Sequence, residues 1–178
     1  MVFQKNRFKR VLVEFFTRNT MKTVIFPGSF DPFTVGHEAL VKRALSLFDK
    51  VVIAVGYNSE KKYMFSLDDR INMINKIFTK SPNVETISYQ GLTVDLCRKL
   101  GVYYLIRGLR TSTDFEFERA IGQVNKQLED KIETIFMLVA PEHTSISSSI
   151  VRDIIINNGN ASPFIPQSIS IENYKRAY

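Results

Sequence analysis

Residues 27–37, with the sequence PGSFDPFTVGH, combine residue types that suit phosphate chemistry. The segment follows an apolar run and precedes a helical pattern, so Gly36 and His37 are expected where a helix begins. Free backbone N–H groups and the helix macrodipole favour an anion at that place. Gly28 suits a close backbone approach or an unusual dihedral angle. His37 can then donate a hydrogen bond to a phosphate oxygen, whereas Gly36 and His37 without this context would indicate only a capped turn.

Two arginines and a run of serines could complete an anion-binding site. Arg107 and Arg110 are three residues apart, and the apolar run before them predicts that Arg107 comes directly after a strand. Ser147, Ser148 and Ser149 open a helical pattern, which makes a second helix terminus for phosphate. The alternative interpretation of the arginines is a pair of surface ion pairs, and that of the serines is a plain N-cap.

Apolar runs alternate with amphipathic stretches from Met21 onward, and this alternation predicts the elements that position those residues. Strands are predicted at residues 23–26, 51–55, 84–88, 103–106 and 134–139. Five helices are predicted. The first has Leu40, Ala44, Leu47 and Phe48 on one face, the second begins after a cap at Ser66, and the third covers 93–100 and stops at Gly101. The fourth begins with a capping box at Thr113–Glu116, and the fifth runs from Ser148 to Gly159. The fold class is therefore α/β, a Rossmann-like, doubly wound sheet of five parallel strands with helices on both faces. Ligands in such folds lie beyond the carboxyl ends of the strands, at the switch point.

The net charge of +6 does not indicate a nucleic-acid surface, because most of it lies before Met21. Residues 1–20 hold five basic residues and one acidic residue, which leaves +2 for the other 158 residues. We interpret residues 1–20 as an extension outside the core and residues 21–178 as one α/β domain. A membrane-surface or targeting helix is the alternative for the extension. We expect a chain that starts at Met21 to fold and to keep full activity.

The composition is that of a protein without disulfides or membrane spans. Cys97 is the only cysteine, so no intrachain disulfide can form, and its apolar neighbours indicate a core thiol. No run approaches the roughly 18 to 20 apolar residues that span a bilayer, and the start lacks a secretory cleavage pattern. We therefore expect a cytoplasmic protein with no membrane or nucleic-acid partner.

Six blocks along the chain resemble motifs of one enzyme family in the family's order. Thr34–His37 fits the T/H-x-G-H signature of the nucleotidyltransferase superfamily, and Gly28–Pro32 resembles its bacterial phosphopantetheine adenylyltransferase branch. The remaining blocks are Lys61–Phe65, Arg107–Arg110, Asp114–Glu118 and Ile146–Ser149. They resemble the family's Lys-Lys-Pro-Met-Phe, Arg-Gly-Leu-Arg, Asp-Phe-Glu-Tyr-Glu and Ile-Ser-Ser-Ser motifs, and together they cover essentially residues 21–165.

The resemblance implies transfer of AMP from ATP to 4′-phosphopantetheine, which gives 3′-dephospho-CoA and pyrophosphate in coenzyme A biosynthesis. Residues 21–178 would then form a nucleotidyltransferase domain with His37, Lys61 and Arg110 as catalytic residues. The implied phosphopantetheine contacts are Ser29, Lys61, Thr93 and Arg107. The implied ATP contacts are Ser29, Phe30, His37, Gly108, Leu109, Arg110, Glu118, His143, Thr144, Ser145, Ile146, Ser147, Ser148 and Ser149.

The resemblance also implies a Mg²⁺ ion carried with ATP, a homohexamer and feedback inhibition by coenzyme A. The sequence shows no His, Asp and Glu cluster with metal-ligand spacing, so no residue is assigned to a metal. Three positions depart from the family pattern. Tyr63 replaces a proline, Phe117 replaces a tyrosine, and His143 falls where some members carry a tryptophan.

Two other functions compete with this interpretation. A sister cytidylyl- or nicotinamide-mononucleotide adenylyltransferase would share the fold, but the blocks at Arg107–Arg110 and Ile146–Ser149 argue against it. A nucleotide- or RNA-binding protein that has lost turnover is disfavoured by the intact His37, Lys61, Arg107 and Arg110. The low charge after residue 20 further disfavours RNA.

Overall fold

A computed structural model describes residues 21–176 and shows an α/β fold built on one sheet of five parallel strands. The strands are β1 (Thr23–Gly28), β2 (Lys50–Tyr57), β3 (Val84–Gln90), β4 (Tyr104–Leu109) and β5 (Glu133–Leu138). The helices are α1 (Val35–Ala44), α2 (Leu67–Ile77), α3 (Thr93–Leu100), α4 (Ser112–Leu128) and α5 (Ser148–Ile156). The strand order is β3-β2-β1-β4-β5, so the winding reverses between β1 and β4. This confirms the predicted fold class.

Alternating strand residues pack into hydrophobic cores on the two faces of the sheet. Val24 and Ile53 belong to one core with α1 and α2, whereas Ile25 and Val52 belong to another with α3. Burial on both faces is the reason that β2 reads as an uninterrupted apolar run.

A third core joins the carboxyl-terminal part of the chain to the loop before α2. Met64 and Phe65 of that loop are buried against Val151 and Ile155 of α5 and against residues 161–171. Short 3₁₀ helices at Ser162–Phe164 and Ile171–Asn173 lie in this segment. Packing with Met64 and Phe65 therefore fixes the end of the loop that carries Lys61 and Lys62.

Helix boundaries agree with local signals in some places and differ in others. Helix α3 and its left-handed Gly101 stop are as predicted, and Ser66 caps α2. Helix α4, however, is capped by Thr111, whose side chain accepts a hydrogen bond from the Asp114 backbone, and the predicted capping box at Thr113–Glu116 is wrong. Helix α1 ends at Ala44, so the prediction that Leu47 and Phe48 continue its face is also wrong. Leu47 is exposed, whereas Phe48 packs against the core from the turn after the helix.

Three further predictions concern Cys97, the end of strand β4 and the end of helix α5. Cys97 is fully buried, and burial raises the pKa of its thiol to about 11, which agrees with a core role. Strand β4 extends to Leu109, so Arg107 lies within the strand and not after it. The chain leaves α5 in a left-handed conformation at Asn158, one residue before Gly159.

Among residues 21–176, no helix is long and apolar enough to cross a bilayer. The predicted extension at residues 1–20 lies outside the described residues.

Candidate active site

Two cavities of about 320 and 330 Å³ lie side by side at the carboxyl ends of β1 and β4. This is the point where the winding of the sheet reverses, the place at which open α/β sheets bind ligands. We call the larger one the His37 cavity and the smaller one the Lys61 cavity. Their common wall consists of Pro27, Gly28, Ser29, Arg107 and Glu118. Two ligands bound in these cavities would therefore meet at Ser29 and Arg107.

His37 is the third residue of α1 and serves as part of its cap. The Thr34 backbone N–H donates to His37 Nδ1 at 3.0 Å, and the Thr34 side chain accepts from the His37 backbone N–H at 3.4 Å. Because a backbone N–H can only donate, Nδ1 must accept, and the ring proton of the neutral imidazole sits on Nε2. His37 lines its cavity, so Nε2–H is the donor that it offers to a ligand.

The His37 imidazole is neutral at physiological pH. Desolvation by burial lowers its pKa to about 4, and the nearby charges of Arg110 and then Arg107 act in the same direction. Because the imidazole does not change its protonation state between about pH 5 and 9, its role as a hydrogen-bond donor does not change over that range.

A group of aromatic rings holds the imidazole in place. Phe30 meets the His37 ring edge-on at 5.2 Å between centroids, and Phe33 lies at the same distance. Phe30 adopts a left-handed φ of 50°, and a Cβ on Gly28 would lie 2.7 Å from its ring. Glycine is therefore required at position 28 for close approach by Phe30, and no unusual dihedral angle occurs there.

All three guanidinium nitrogens of Arg107 donate hydrogen bonds at the common wall, to two partners. Its Nε donates to Glu118 at 2.6 Å and its NH2 group donates to the same carboxylate at 2.5 Å. Its third nitrogen, NH1, donates to the Pro27 carbonyl at 2.5 Å. Arg107 thus forms an ion pair, as the alternative interpretation expected, but the pair is partly buried and faces both cavities instead of the outer surface. A bidentate pair of this kind preorganises the guanidinium for an anion.

Arg110 follows β4 and lies against the first turn of α4. Its Nε and backbone N–H both donate to Asp114 Oδ2, at 2.9 and 3.2 Å. The charge and hydrogen bonds of Arg110 keep the pKa of Asp114 below its usual value despite the opposing effect of burial. Arg110 lines the His37 cavity only, whereas Arg107 lines both.

The serine run contributes three different contacts at the start of α5. Ser147 is the N-cap and accepts from the Ile150 backbone N–H, as the alternative interpretation allowed for one of the three. Ser148 donates to the Pro32 carbonyl at 2.9 Å, and Ser149 accepts from Arg152 at 3.1 Å. All three line the His37 cavity next to the helix terminus.

Sequence reasoning missed Arg152, which also lines the His37 cavity. Its NH1 group donates to the Asp31 carbonyl at 2.6 Å, and it stands three residues after Ser149 on α5. The spacing from the serine run was a usable signal, because residues three apart lie on one helical face.

The Lys61 cavity takes its walls from all five strands, from α3 and α4, and from the loop that carries Lys61. Lys61 and Thr93, both predicted contacts, line it. The Thr93 hydroxyl lies 3.1 Å from the Tyr89 hydroxyl, and Leu105 and Ile121 provide apolar surface. The cavity therefore combines a cation at its rim with a mixed polar and apolar wall.

Asp31 ties residues 64–65 to the first loop. Its two carboxylate oxygens accept from the backbone N–H groups of Met64 and Phe65 at 2.8 and 2.9 Å. Asp31 is buried, so this carboxylate serves the fold and is not offered to a ligand.

Most of the predicted site residues lie on the cavity walls, but four do not. Leu109, the last residue of β4, is buried and lines neither cavity. His143, Thr144 and Ser145 are absent from the walls of both cavities, and the Cβ of His143 packs 3.5 Å from where a Cβ on Gly36 would lie. Their contacts with ATP stay predictions, as does any role of the His143 departure. Glu118 lines both cavities, and its direct partner is Arg107.

Comparison with known proteins agrees with this geometry. The cytidylyltransferase-like family model matches residues 25–154. The phosphopantetheine adenylyltransferase of Flavobacterium psychrophilum is 53% identical over 152 residues, which cover 85% of this chain and 100% of the relative. The chain belongs to the phosphopantetheine adenylyltransferase family. The member from Cytophaga hutchinsonii is 49% identical over 83% of this chain and 99% of its own length.

Solved structures show the same fold more widely. A proposed nicotinate-nucleotide adenylyltransferase of Vibrio parahaemolyticus superposes with a TM-score of 0.62 at 20% identity, over 84% of this chain and 96% of that one. At that identity the similarity concerns the fold alone, and it does not distinguish the acceptor that each enzyme uses.

Proposed function

We propose that this protein transfers the AMP group of ATP to 4′-phosphopantetheine, giving 3′-dephospho-CoA and pyrophosphate. The observation that carries the proposal is the shared wall at Ser29 and Arg107, where one nucleotide cavity and one acceptor cavity meet beside the neutral donor His37. Membership in the phosphopantetheine adenylyltransferase family supports the choice of acceptor. A cytoplasmic location is part of the proposal, since it provides both substrates.

ATP is assigned to the His37 cavity. The start of α5 and Arg152 provide a helix terminus and a cation for the outer phosphates, and Arg110 adds a second cation. Phosphopantetheine is assigned to the Lys61 cavity, where Lys61 and Arg107 can bind its phosphate. The polar and apolar wall beyond them suits an arm that contains both amides and methylene groups.

The chemistry needs alignment and charge stabilisation more than proton transfer. An oxygen of the acceptor phosphate forms a bond to the α-phosphorus of ATP, and the bond from that phosphorus to the β-phosphate bridging oxygen breaks, so pyrophosphate leaves. The nucleophile is already anionic, because a phosphate monoester has a second pKa near 6. His37 Nε2–H, Lys61 and Arg110 stabilise the charge that develops on the transferred group.

Mg²⁺ is proposed to enter with the phosphates of ATP and not on a preformed protein site. Among residues 21–176, no group of three or more His, Cys, Asp or Glu could hold a metal ion, and the carboxylate of Asp31 is taken by backbone donors. The ion supplies charge neutralisation on the triphosphate when it is bound.

The decisive test is a pyrophosphate-release assay with ATP or CTP and a panel of acceptors. We expect turnover with ATP and phosphopantetheine. Pantetheine, which ends in a hydroxyl, should show none, because among residues 21–176 the carboxylate and the imidazole on the cavity walls are already engaged. Glu118 pairs with Arg107, and His37 Nδ1 accepts from the Thr34 backbone N–H. With phosphopantetheine the rate should rise through about pH 6 and then level off, since ionisation of the acceptor limits it. Protonation of His37 should not affect this pH–rate profile above about pH 5.

Two results would refute parts of this proposal. Preference for CTP or for nicotinamide mononucleotide would assign the chain to a sister activity. Steady adenylylation of pantetheine would require a general base, and the mechanism would have to include it.

A homohexamer with feedback inhibition by coenzyme A is the second part of the proposal. Helix α4 has 17 residues and buries none of them in the described chain. Phe117, Ile121, Val124 and Leu128 form an exposed apolar stripe with spacings of four, three and four, which is typical of a helix that packs on another helix. Ile121 also lines the Lys61 cavity, so assembly would border the acceptor site. Coenzyme A carries a pantetheine arm and an adenine nucleotide, so it matches both cavities.

Val124→Lys is expected to dissociate this assembly. A lysine placed in an apolar contact loses hydration without a partner, at a cost of about 3 kcal/mol or more per interface. Light scattering after size-exclusion chromatography measures the mass. The matched control is Leu47→Lys, which changes an equally exposed apolar side chain outside the stripe. A monomeric wild type, or a Val124→Lys protein of unchanged mass, would refute the interface.

A further inference from the structure

Tyr63 contacts both a second tyrosine and a buried arginine beside the Lys61 cavity. Its ring lies 6.1 Å from the Tyr57 ring with an interplanar angle of 27°. The guanidinium carbon of Arg70 lies 4.2 Å from the centre of the Tyr63 ring. The three side chains therefore form one contact group, which we call the Tyr63 stack, at the base of the loop formed by residues 58–62.

Arg70 makes a rigid platform for this stack. It is fully buried, and its NH1 group donates to the carbonyls of Ser29 and Gly56 at 2.7 and 3.1 Å. Among the described residues it forms no ion pair, and its NH2 group has no hydrogen-bond partner. The face of the Tyr63 ring therefore adds to these carbonyls and to the nearby Asp31 carboxylate in offsetting the desolvated charge, the setting in which cation–π contacts are strongest.

The hydroxyl of Tyr63 closes the loop on itself. It accepts a hydrogen bond from the Asn58 backbone N–H at 3.1 Å, while the Lys61 backbone N–H donates to the Asn58 carbonyl at 3.1 Å. Lys61 therefore sits in a ring of contacts that begins at Asn58 and ends at Tyr63. The Asn58 side chain also accepts from the Glu60 backbone N–H at 2.9 Å, and residues 58–62 are otherwise exposed.

We propose that Tyr63 is a positioning residue that holds Lys61 at the acceptor cavity through its stack on Arg70 and its hydrogen bond to Asn58. The proposal rests on the proposed function for the role of Lys61. The proposal also assigns a role to Arg70, whose hydrogen bond to the Ser29 carbonyl connects the same stack to the wall shared by the two cavities. Loss of the Tyr63 ring would free the Lys61 side chain from the cavity. Because Tyr63 also lines that cavity, a Lys61→Ala background is needed to separate this effect from the loss of a direct contact with the acceptor.

Limited proteolysis measures the order of the loop without any substrate. Trypsin cleaves after Lys61 and Lys62, and mass spectrometry identifies those cuts in the folded chain. Tyr63→Leu removes both the ring stack and the hydroxyl, so we expect cleavage there to be about tenfold faster than in the wild type. Tyr63→Phe keeps the ring, and it should stay within about threefold of the wild type. The matched control is Tyr104→Leu, which removes a half-exposed ring at the opposite end of the sheet.

A double-mutant cycle then connects the loop to turnover. Tyr63→Leu should lower kcat by about tenfold in the wild-type background, with Tyr63→Phe restoring most of the rate. In a Lys61→Ala background the same substitution should lower kcat by less than about twofold, because the lysine side chain that Tyr63 positions is absent.

Two outcomes would overturn the proposal. Cleavage at equal rates in wild type and Tyr63→Leu would show that the stack does not order the loop. An undiminished loss of kcat in the Lys61→Ala background would show that Tyr63 acts by another route. A wild type that does not transfer AMP would instead refute the proposed function, and the cleavage contrast would still decide whether Tyr63 orders the loop.

Discussion

His37→Ala is expected to lower kcat by about 10²- to 10³-fold, the usual cost of removing one preorganised donor to a developing charge. The effect should fall on turnover and leave the KM for ATP nearly unchanged, because the Nε2–H bond strengthens as the α-phosphate gains charge. Steady-state pyrophosphate release at saturating phosphopantetheine measures both constants.

Two further substitutions separate the donor from the helix cap. Asn at position 37 can place an oxygen near the Nδ1 position, where it accepts from the Thr34 backbone N–H that is 3.0 Å from the ring in the wild type. His37→Asn should therefore fold with a nearly unchanged melting temperature and be as slow as His37→Ala. His37→Gln can extend an amide donor toward the Nε2 position, and it should recover part of the rate.

The opposite pattern would contradict the assigned role. If His37→Asn kept near-normal kcat, the imidazole would be only a capping residue. If the wild-type rate fell as pH dropped from 7 to 6 and the Asn variant removed that fall, His37 would titrate near neutrality. That result would disagree with the pKa of about 4 that burial and the two arginines produce.

Arg107→Ala is expected to raise the KM for phosphopantetheine by about 10²-fold and the KM for ATP by less. The variant loses a bidentate, charge-assisted contact to the acceptor phosphate. It also leaves the Glu118 carboxylate without the partner that lies 2.5 Å away, and this charge then repels the incoming dianion. Initial rates with each substrate varied in turn distinguish the two constants.

Replacing Glu118 tests how much of this loss comes from the orphaned carboxylate. The Arg107→Ala, Glu118→Gln double variant should recover part of the phosphopantetheine KM, because the unpaired negative charge is gone. Arg107→Lys should recover less than full activity, since a single ammonium cannot bridge Glu118, the Pro27 carbonyl and a phosphate as the planar guanidinium can. A rise confined to the KM for ATP would reverse the assignment of the two cavities.

Local sequence determined the elements where the signal depends on neighbouring residues alone. Helix α3 with its Gly101 stop was predicted residue by residue, because capping and left-handed glycine act within one turn. The parallel sheet followed from residues 51–55, since only burial on both faces tolerates such a run. The place of His37 at the start of α1 was equally local, as its Thr34 partner lies three residues away.

Tertiary structure decided the contacts between residues far apart in the chain. Arg107 was predicted after a strand and as an acceptor contact, yet it lies within β4 and lines both cavities, held by the Pro27 carbonyl 80 residues away in sequence. The Tyr63 stack on Arg70 likewise joins a loop to a helix and to the Ser29 carbonyl.

The protonation state of His37 also depends partly on local sequence and partly on tertiary structure. The sequence alone determined that a histidine stands at a helix start between glycine-rich and arginine-containing motifs. Only the fold decided that its imidazole is neutral, because desolvation and the charges of Arg110 and Arg107 act through space and depend on which side chains are packed around the ring. Helix caps and hydrophobic periodicity can be predicted from the spacing of residues in the sequence. Burial and the distances between charges are set only when the strands and helices pack together.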